Sequence, residues 1–328
     1  MKKPDLHTVA VVGTGVIGRS WIAVFARAGR RVRVFDANPA QAEAALAWFR
    51  ADLKRQRRDG RLKKKAAAAQ WDLVEAVDTL AGAVTGAGYV QESGPERLDL
   101  KQALYRDLDQ AAHPATILGS STSALDMTDI ARGLAGAGRC IVVHPVNPPH
   151  VVPATEILGG AETSPAVVKR TIRFLKELGQ VPVLMNRYVP GFVINRMQAA
   201  LVREAIDLVR SGVCDVRAVD DSIRAGLGLR WALMGPFGVA NTNADGGVRD
   251  YFTRFGSSYH GLWDDLKTDL RFDPELIERI GQQTDRLLPE SLDAQRAWRD
   301  RLVLELRDLK AATPLESGRG KRKHKRKR

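Results

Sequence analysis

The chain has 328 residues, 44% of them hydrophobic, a composition that supports two packed domains and excludes disordered and collagen-like classes. Its two cysteines, Cys140 and Cys214, are too few and too far apart for a disulfide framework or a zinc site, which implies a reducing, cytoplasmic setting, and no run of about 18 apolar residues is present to span a membrane. Of the net charge of +13, eight units come from the basic side chains of residues 319–328, so the excess says little about the body of the protein.

In chain order, the N-terminal MKKPDLH runs straight into a strand over residues 8–12 (TVAVV) and is therefore not read as a secretory signal. Gly13-Thr-Gly15-Val-Ile-Gly18 follows at once, then a helix to Gly29 and a strand over 31–36 that closes on Asp36. Asn38-Pro39 starts a helix over 39–59. Within and beyond its end, residues 54–65 (KRQRRDGRLKKK) form a basic cluster read as an exposed helix-turn surface able to attract an anionic substrate. Strands are expected at 89–91, 116–119 and 140–143, with helices over 97–112 and 126–134 between them. A helix over 165–179 and a strand over 181–185 complete the pattern. Alternation of this kind predicts a Rossmann-type α/β domain, a mostly parallel sheet with helices on both faces.

At Pro190-Gly191 the pattern turns wholly helical: 192–212, 216–228, and a long stretch from Pro274. The expected organisation is an NAD-binding domain over 1–189, an all-α domain for substrate and dimerisation over 190–317, and a disordered basic tail over 318–328. The apolar helix faces of the second domain exceed what a substrate needs, which favours a homodimer. The tail is expected to touch nucleic acid or anionic surfaces weakly and in a salt-dependent way.

The G-x-G-x-x-G run lies where a dinucleotide needs it, after a strand and opening a helix. Gly13 allows the tight turn, Gly15 lets the backbone approach a pyrophosphate, and Gly18 lets helix and strand pack closely. The N-terminus of the helix that follows offers free N–H groups and a positive dipole to the phosphates, and Val16 and Ile17 of the motif are counted with its glycines as cofactor-binding. Asp36 lies 23 residues after Gly13, where a carboxylate accepts from the adenosine ribose hydroxyls and repels a 2′-phosphate, so NAD is preferred to NADP. Arg19, Arg30 and Arg31 are near enough in sequence to soften that preference. No His/Cys/Asp/Glu cluster has metal spacing, and hydride transfer to NAD requires none.

His144 and Glu156 stand twelve positions apart around the Pro-rich turn of VVHPVNPPHVVPATEIL, between two apolar runs that can bring the strand ends together. A histidine oriented by a carboxylate is a general base suited to neutral pH. Ser123 in SSTSAL and Asn195 in PGFVINR are further polar positions beside strands or the hinge. His7, His113 and His260 read as surface or capping residues and His150 as a spectator near the turn. Arg230, Trp231 and Asn241 to Asn243 are candidates for the substrate pocket.

The motifs VAVVGTGVIGRSW, QESGPERLDLKQ, SSTSAL, HPVNPP and GFVINR, with GLGLRWALMGPFGVANTNADGG and AQRAWRDRLVLELRDLK, resemble the 3-hydroxyacyl-CoA dehydrogenase family. Within it they are most similar to the lambda-crystallin / L-gulonate 3-dehydrogenase branch, and the resemblance extends to about residue 312. It implies that His144 is the base and Glu156 its paired carboxylate, that Ser123 and Asn195 hold the substrate, that Glu96 and Lys101 line the cofactor, and that Asn147 lies near the nicotinamide. The acyl-CoA members usually carry aromatic residues directly after the histidine. Pro145-Val146 stand there instead, which speaks against a CoA substrate. The expected reaction is NAD-dependent oxidation of the 3-hydroxyl of a small hydroxy acid such as L-gulonate. A 3-hydroxyacyl-CoA dehydrogenase of fatty-acid metabolism and a carnitine-type dehydrogenase are the alternatives. The intact Ser123, His144, Glu156 and Asn195 set argues against a non-catalytic crystallin.

Overall fold

A computed structural model describes residues 4–313; the basic tail lies outside the described residues. The chain divides into two compact units, Met1–Arg196 and Met197–Arg328. The first runs β1 (Thr8–Val12), α1 (Val16–Arg27), β2 (Arg31–Phe35), α2 (Pro39–Arg58), α3 (Lys64–Trp71), β3 (Val74–Ala76), α4 (Leu80–Val84), β4 (Tyr89–Glu92), α5 (Leu98–Ala111), β5 (Ile117–Ser120), α6 (Met127–Ile130), β6 (Cys140–Pro145), β7 (Ala154–Gly159), α7 (Pro165–Glu177) and β8 (Val181–Leu184).

The eight strands form one sheet in the order β3-β2-β1-β4-β5-β6-β7-β8. Every pairing is parallel except β6 with β7, so β7 and β8 run against the rest. Side chains alternate across each strand, and both faces are covered, so the strands read as unbroken apolar runs. In β1, Val9 and Val11 enter the core beneath α1, α2 and α7, while Ala10 and Val12 enter the core with α4, α5 and α6. In β6, Ile141 and Val143 join the first core and Cys140 and Val142 the second. The same alternation puts His144, the next residue in phase with Val142, on the second face, and Glu156 joins it there, in phase with Leu158 of β7. Burial pushes the Cys140 thiol up to about 12, so it behaves as an inert core side chain.

The second unit contains most of α8 (Ile194–Arg210), then α9 (Val216–Asp221), a π-helical turn (Ser222–Leu227), α10 (Gly228–Trp231), α11 (Pro236–Thr242), α12 (Gly247–Asp265), α13 (Pro274–Leu287) and α14 (Leu292–Ala312). Among the described residues no helix is long and apolar enough to cross a membrane.

Differences from the sequence expectations have local causes. α1 begins at Val16, three residues early, because Gly15 itself is the N-cap. The helix expected over 126–134 ends at Ile130, and Gly133 turns the chain with φ +76°. The stretch 216–228 widens to π-helix at residue 222 rather than staying α-helical.

Candidate functional site

Where the strand order reverses, β1 and β4 send their following connections to opposite faces of the sheet and open a crevice at their C-terminal ends, the usual ligand position in such folds. Gly13 has φ +86°, and a Cβ there would lie 2.8 Å from the backbone of Ser93 and Gly94. A Cβ on Gly18 would lie 1.9 Å from the Gly13 carbonyl oxygen, whereas one on Gly15 would meet nothing within 4 Å. So two glycines are required by the fold, and the third leaves open space above the loop. α1 starts with no side-chain cap and no acidic residue in its first turn. Its first N–H groups, from Val16 onward, lack intrahelical acceptors and remain available to an anion. Asp36 Oδ2 accepts from the Thr14 N–H and hydroxyl, both at 2.8 Å, and Oδ1 accepts from the Asn38 N–H at 3.0 Å. It braces the glycine loop and keeps acceptor capacity for a ribose hydroxyl. These residues fit a dinucleotide.

Of the arginines expected to soften the cofactor preference, Arg30 and Arg19 have contacts of their own. Arg30 pairs with Glu177 at 2.8 Å and stacks on Phe174. Arg31 opens β2, at the end remote from Asp36. The Arg19 guanidinium lies 5.0 Å above the Trp48 ring, and burial lowers its pKa.

After β4 the chain builds a polar cluster. Glu96 Oε1 accepts from the Thr122 hydroxyl (2.6 Å), the Ser123 N–H (2.7 Å), the Ala124 N–H (3.0 Å) and, more weakly, the Ser123 hydroxyl (3.3 Å). Burial pushes the Glu96 carboxyl up. The Thr122 and Ser123 hydrogen bonds, the Lys101 charge and the Ala124 N–H outweigh that and hold it below its ordinary range. The second oxygen lies 3.7 Å from Lys101 Nζ. Beneath it, Lys101 Nζ donates to Glu92 Oε1 at 2.7 Å, Gly94 N–H donates to the same oxygen at 2.6 Å, and Ser120 donates to Oε2 at 2.6 Å. Gln91 accepts from the Tyr89 hydroxyl and donates to Ser121 (2.7 Å) and to the Val143 carbonyl (3.2 Å), next to His144.

β6 and β7 place His144 and Glu156 directly opposite one another. His144 Nδ1 lies 2.7 Å from Glu156 Oε2, and Glu156 is fully buried. Glu156 Oε1 accepts from the N–H groups of Val193 (2.8 Å) and Ile194 (2.9 Å), so it also caps the start of α8. Burial raises the Glu156 carboxyl, but the bond with His144 and the two amides outweigh it and hold it below the ordinary carboxylate range. The carboxylate is an acceptor only, so the Nδ1 atom must be the donor, which in the neutral imidazole leaves the lone pair on Nε2. His144 keeps 11% of its side chain exposed, which leaves a path to that lone pair. The ring of Phe192 meets His144 edge-on at 5.5 Å. Asn195 follows Ile194 in the first turn of α8, and Asn147 is exposed in the turn three residues after His144.

Residues 8–188 match the family model for the NAD binding domain of 3-hydroxyacyl-CoA dehydrogenase, and residues 191–270 match the model for its C-terminal domain. The chain belongs to the 3-hydroxyacyl-CoA dehydrogenase family. It is an NAD-dependent dehydrogenase acting on CH–OH groups. A lambda-crystallin homolog of Bos taurus is 40% identical, covering 93% of this chain and 96% of the relative. An L-carnitine dehydrogenase of Streptomyces griseus is 38% identical, covering 92% and 89%. Among solved structures, FHMPC 5-dehydrogenase, an NAD+ dependent dismutase, superposes with a TM-score of 0.75 at 26% identity, over 93% of this chain and 98% of its own.

Within this dehydrogenase, Lys101 is buried, with Nζ paired to Glu92, 3.4 Å from the Gly94 carbonyl and 3.7 Å from Glu96. Glu96 reaches further than a cofactor contact, since it holds the loop that bears Ser123. His150 is buried against Trp48, and its carbonyl accepts from Arg27 at 2.9 Å. In the second unit, Arg230 and Trp231 are exposed on α10, and Asn241 Oδ1 accepts from the Val248 N–H at 3.0 Å at the start of α12. Glu92, Gln91, Ser121 and Thr122 were not singled out from sequence. The available signal was a polar run, QES, ending an otherwise apolar strand.

Proposed function

We propose that this dehydrogenase oxidises the 3-hydroxyl of a small free hydroxy acid, of the L-gulonate or L-carnitine kind, with His144 as general base and Glu156 as its orienting carboxylate. The observation that carries the reading is the 2.7 Å contact of His144 Nδ1 with a Glu156 carboxylate fixed by two backbone amides. Nε2 takes the proton from the substrate hydroxyl, and Glu156 stabilises the imidazolium that forms. When bound, NAD would supply the acceptor for the hydride that leaves the carbon bearing that hydroxyl. Ser123 and Asn195 hydrogen-bond the substrate oxygen, and Gly13 to Gly18, Asp36, Glu96 and Asn147 would hold the cofactor. A positioned base contributes on the order of 10²–10⁴ in rate. His144→Ala should therefore lower kcat by that order while the Kd for NADH stays within about twofold; retained turnover would remove His144 from this role.

A free acid is favoured by Pro145-Val146 after the histidine and by the L-carnitine dehydrogenases among the relatives. A CoA ester is the second reading, because Lys54, Arg57, Arg58, Leu62 and Lys64 line an open basic depression at the α2–α3 junction that suits a phosphate. NADH formation from L-gulonate, L-carnitine, L-3-hydroxybutyrate and L-3-hydroxybutyryl-CoA separates the two. Preference for the thioester would overturn the free-acid assignment. The same reading has the enzyme working as a homodimer through its second unit.

A further inference from the structure

The segment that leads into α8 touches His144, Glu156 and the residue after Ser123. Its last residues, Val193 and Ile194, give their N–H groups to Glu156. Phe192, fully buried, presents its ring edge-on to His144 with centroids 5.5 Å apart. Its φ of +50° is the left-handed region, which a bulky side chain adopts only where its surroundings enforce it. Four residues earlier, the Tyr188 ring meets Phe192 edge-on at 6.2 Å, and the Tyr188 hydroxyl donates to the Ala124 carbonyl at 2.9 Å. Ala124 directly follows Ser123.

The Ser123 loop is thus held from two sides. Glu96 gathers its N–H groups and the Thr122 hydroxyl, and Tyr188 holds its carbonyl side. The Tyr188 contact continues to the base through Phe192 to His144, while Ser121 of the same loop reaches the Val143 carbonyl beside His144 through Gln91. Glu96 fixes the loop to the end of β4. A phenylalanine at 188 would keep the ring contact and lose the tether. A short polar residue would keep a donor but lose the ring. Both halves of the tyrosine are used, and neither belongs to the chemistry already assigned.

We propose that Tyr188 is a positioning residue that sets the separation of Ser123 from His144, and with it the seating of the substrate hydroxyl between them. The proposal rests on the reading of Ser123 and His144 as substrate holder and base. Rates of positioned reactions are steep in geometry, since a misplacement of about 1 Å costs about a hundredfold. Removing the tether leaves the loop clamped by Glu96, so the displacement is a fraction of that.

The test is Tyr188→Phe and Tyr188→Leu in the full-length enzyme, assayed with L-gulonate or L-carnitine, whichever the wild type turns over faster. The readouts are kcat, KM, NADH Kd, the pH–rate profile and Tm. Tyr188 is partly exposed, so the phenylalanine variant keeps the fold. The expected result for Tyr188→Phe is a loss of about tenfold in kcat/KM, with the NADH Kd, Tm and pH profile unchanged. Tyr188→Leu, which also frees Phe192, should lose more and move the pH profile. Wild-type kcat/KM in Tyr188→Phe, or a loss that only follows a fall in Tm, overturns the proposal. His144→Ala in the same assay separates the two levels: if it stays active, the reading of the base fails; if it is inactive while Tyr188→Phe is normal, only the positioning role fails.

Discussion

Glu156 serves two partners with two oxygens, and that division decides what a substitution does. Glutamine has one acceptor oxygen and one donor amide. In Glu156→Gln the oxygen can receive the His144 Nδ1–H or the amides of Val193 and Ile194, not both, and the NH2 group then faces a donor. We expect kcat to fall on the order of 10²–10⁴ and stability to fall by about 1.5–3 kcal/mol, the range for a hydrogen bond to a charged group. The pH dependence follows from the same contacts. The folded carboxyls of Glu156 and Glu96 lie below their ordinary range. Their stabilising contribution is therefore complete above the unfolded value of about 4.3 and is lost as pH falls through the lower folded values. Thermal melts between pH 7 and 3 should show Tm declining below about pH 4.5, and Glu156→Gln should flatten part of that decline. An equal decline in the variant would assign the acid limb to other groups. At this scale the sequence revealed a pair set by a turn better than a pair set by packing. His144 and Glu156 stood out because two strand ends and a Pro-rich turn fix their spacing. The pair Glu92 and Lys101 did not, because a buried ion pair is spelled with the same residues as a solvated one, and only the packing around β4 and β5 distinguishes them.

At the scale of elements, three glycines of one motif have separable jobs. A methyl group at residue 18 collides with the Gly13 carbonyl and forces α1 away from β1. Gly18→Ala should cost about 1–3 kcal/mol or more, as overpacked sites do, and weaken NAD binding as a consequence. At Gly15 the methyl group meets no protein atom. Gly15→Ala should melt within about 1 °C of the wild type and still lose at least tenfold in NADH affinity, because the open space is where a pyrophosphate would lie. Isothermal titration beside a thermal melt checks both, and wild-type affinity in Gly15→Ala would exclude a close approach of the cofactor to that residue. The alternating strands and amphipathic helices of the first unit were legible because both faces of the sheet are buried and the pattern switches cleanly between periods. β3 and α4, three and five residues long, are too short to show a period. The reversed direction of β7 was also hidden, since side chains alternate in the same way whichever way a strand runs.

On the scale of the whole molecule, the second unit is short of core. The apolar side chains it buries among its described residues are Ile206, Val209, Val216, Val239, Ala240 and Leu276. It exposes Leu229, Leu233, Phe237, Leu262, Trp263 and others, with Phe237 at 72% and Trp263 at 60%. Apolar exposure on this scale suits association if the exposed side chains are contiguous, and under the proposed function the partner would be a second copy of the chain. Each copy carries +13 charges, so Coulomb repulsion opposes association while apolar burial favours it. The two terms respond differently to salt, because repulsion between exposed charges is screened with a length of about 30 Å at 0.01 M and about 8 Å at 0.15 M, and apolar burial is nearly indifferent over that range. The dimer should therefore tighten as salt is raised from 0.01 to 0.15 M, the opposite of an interface held by ion pairs. Removing residues 319–328, with eight of the positive charges, should weaken that salt dependence, and Phe237→Asp should shift the population toward monomer. Sedimentation equilibrium at micromolar concentration reads all three. A wild-type monomer at every ionic strength would leave the apolar face of the second unit to some other partner, and a dimer that loosens with salt would replace the apolar interface with an electrostatic one.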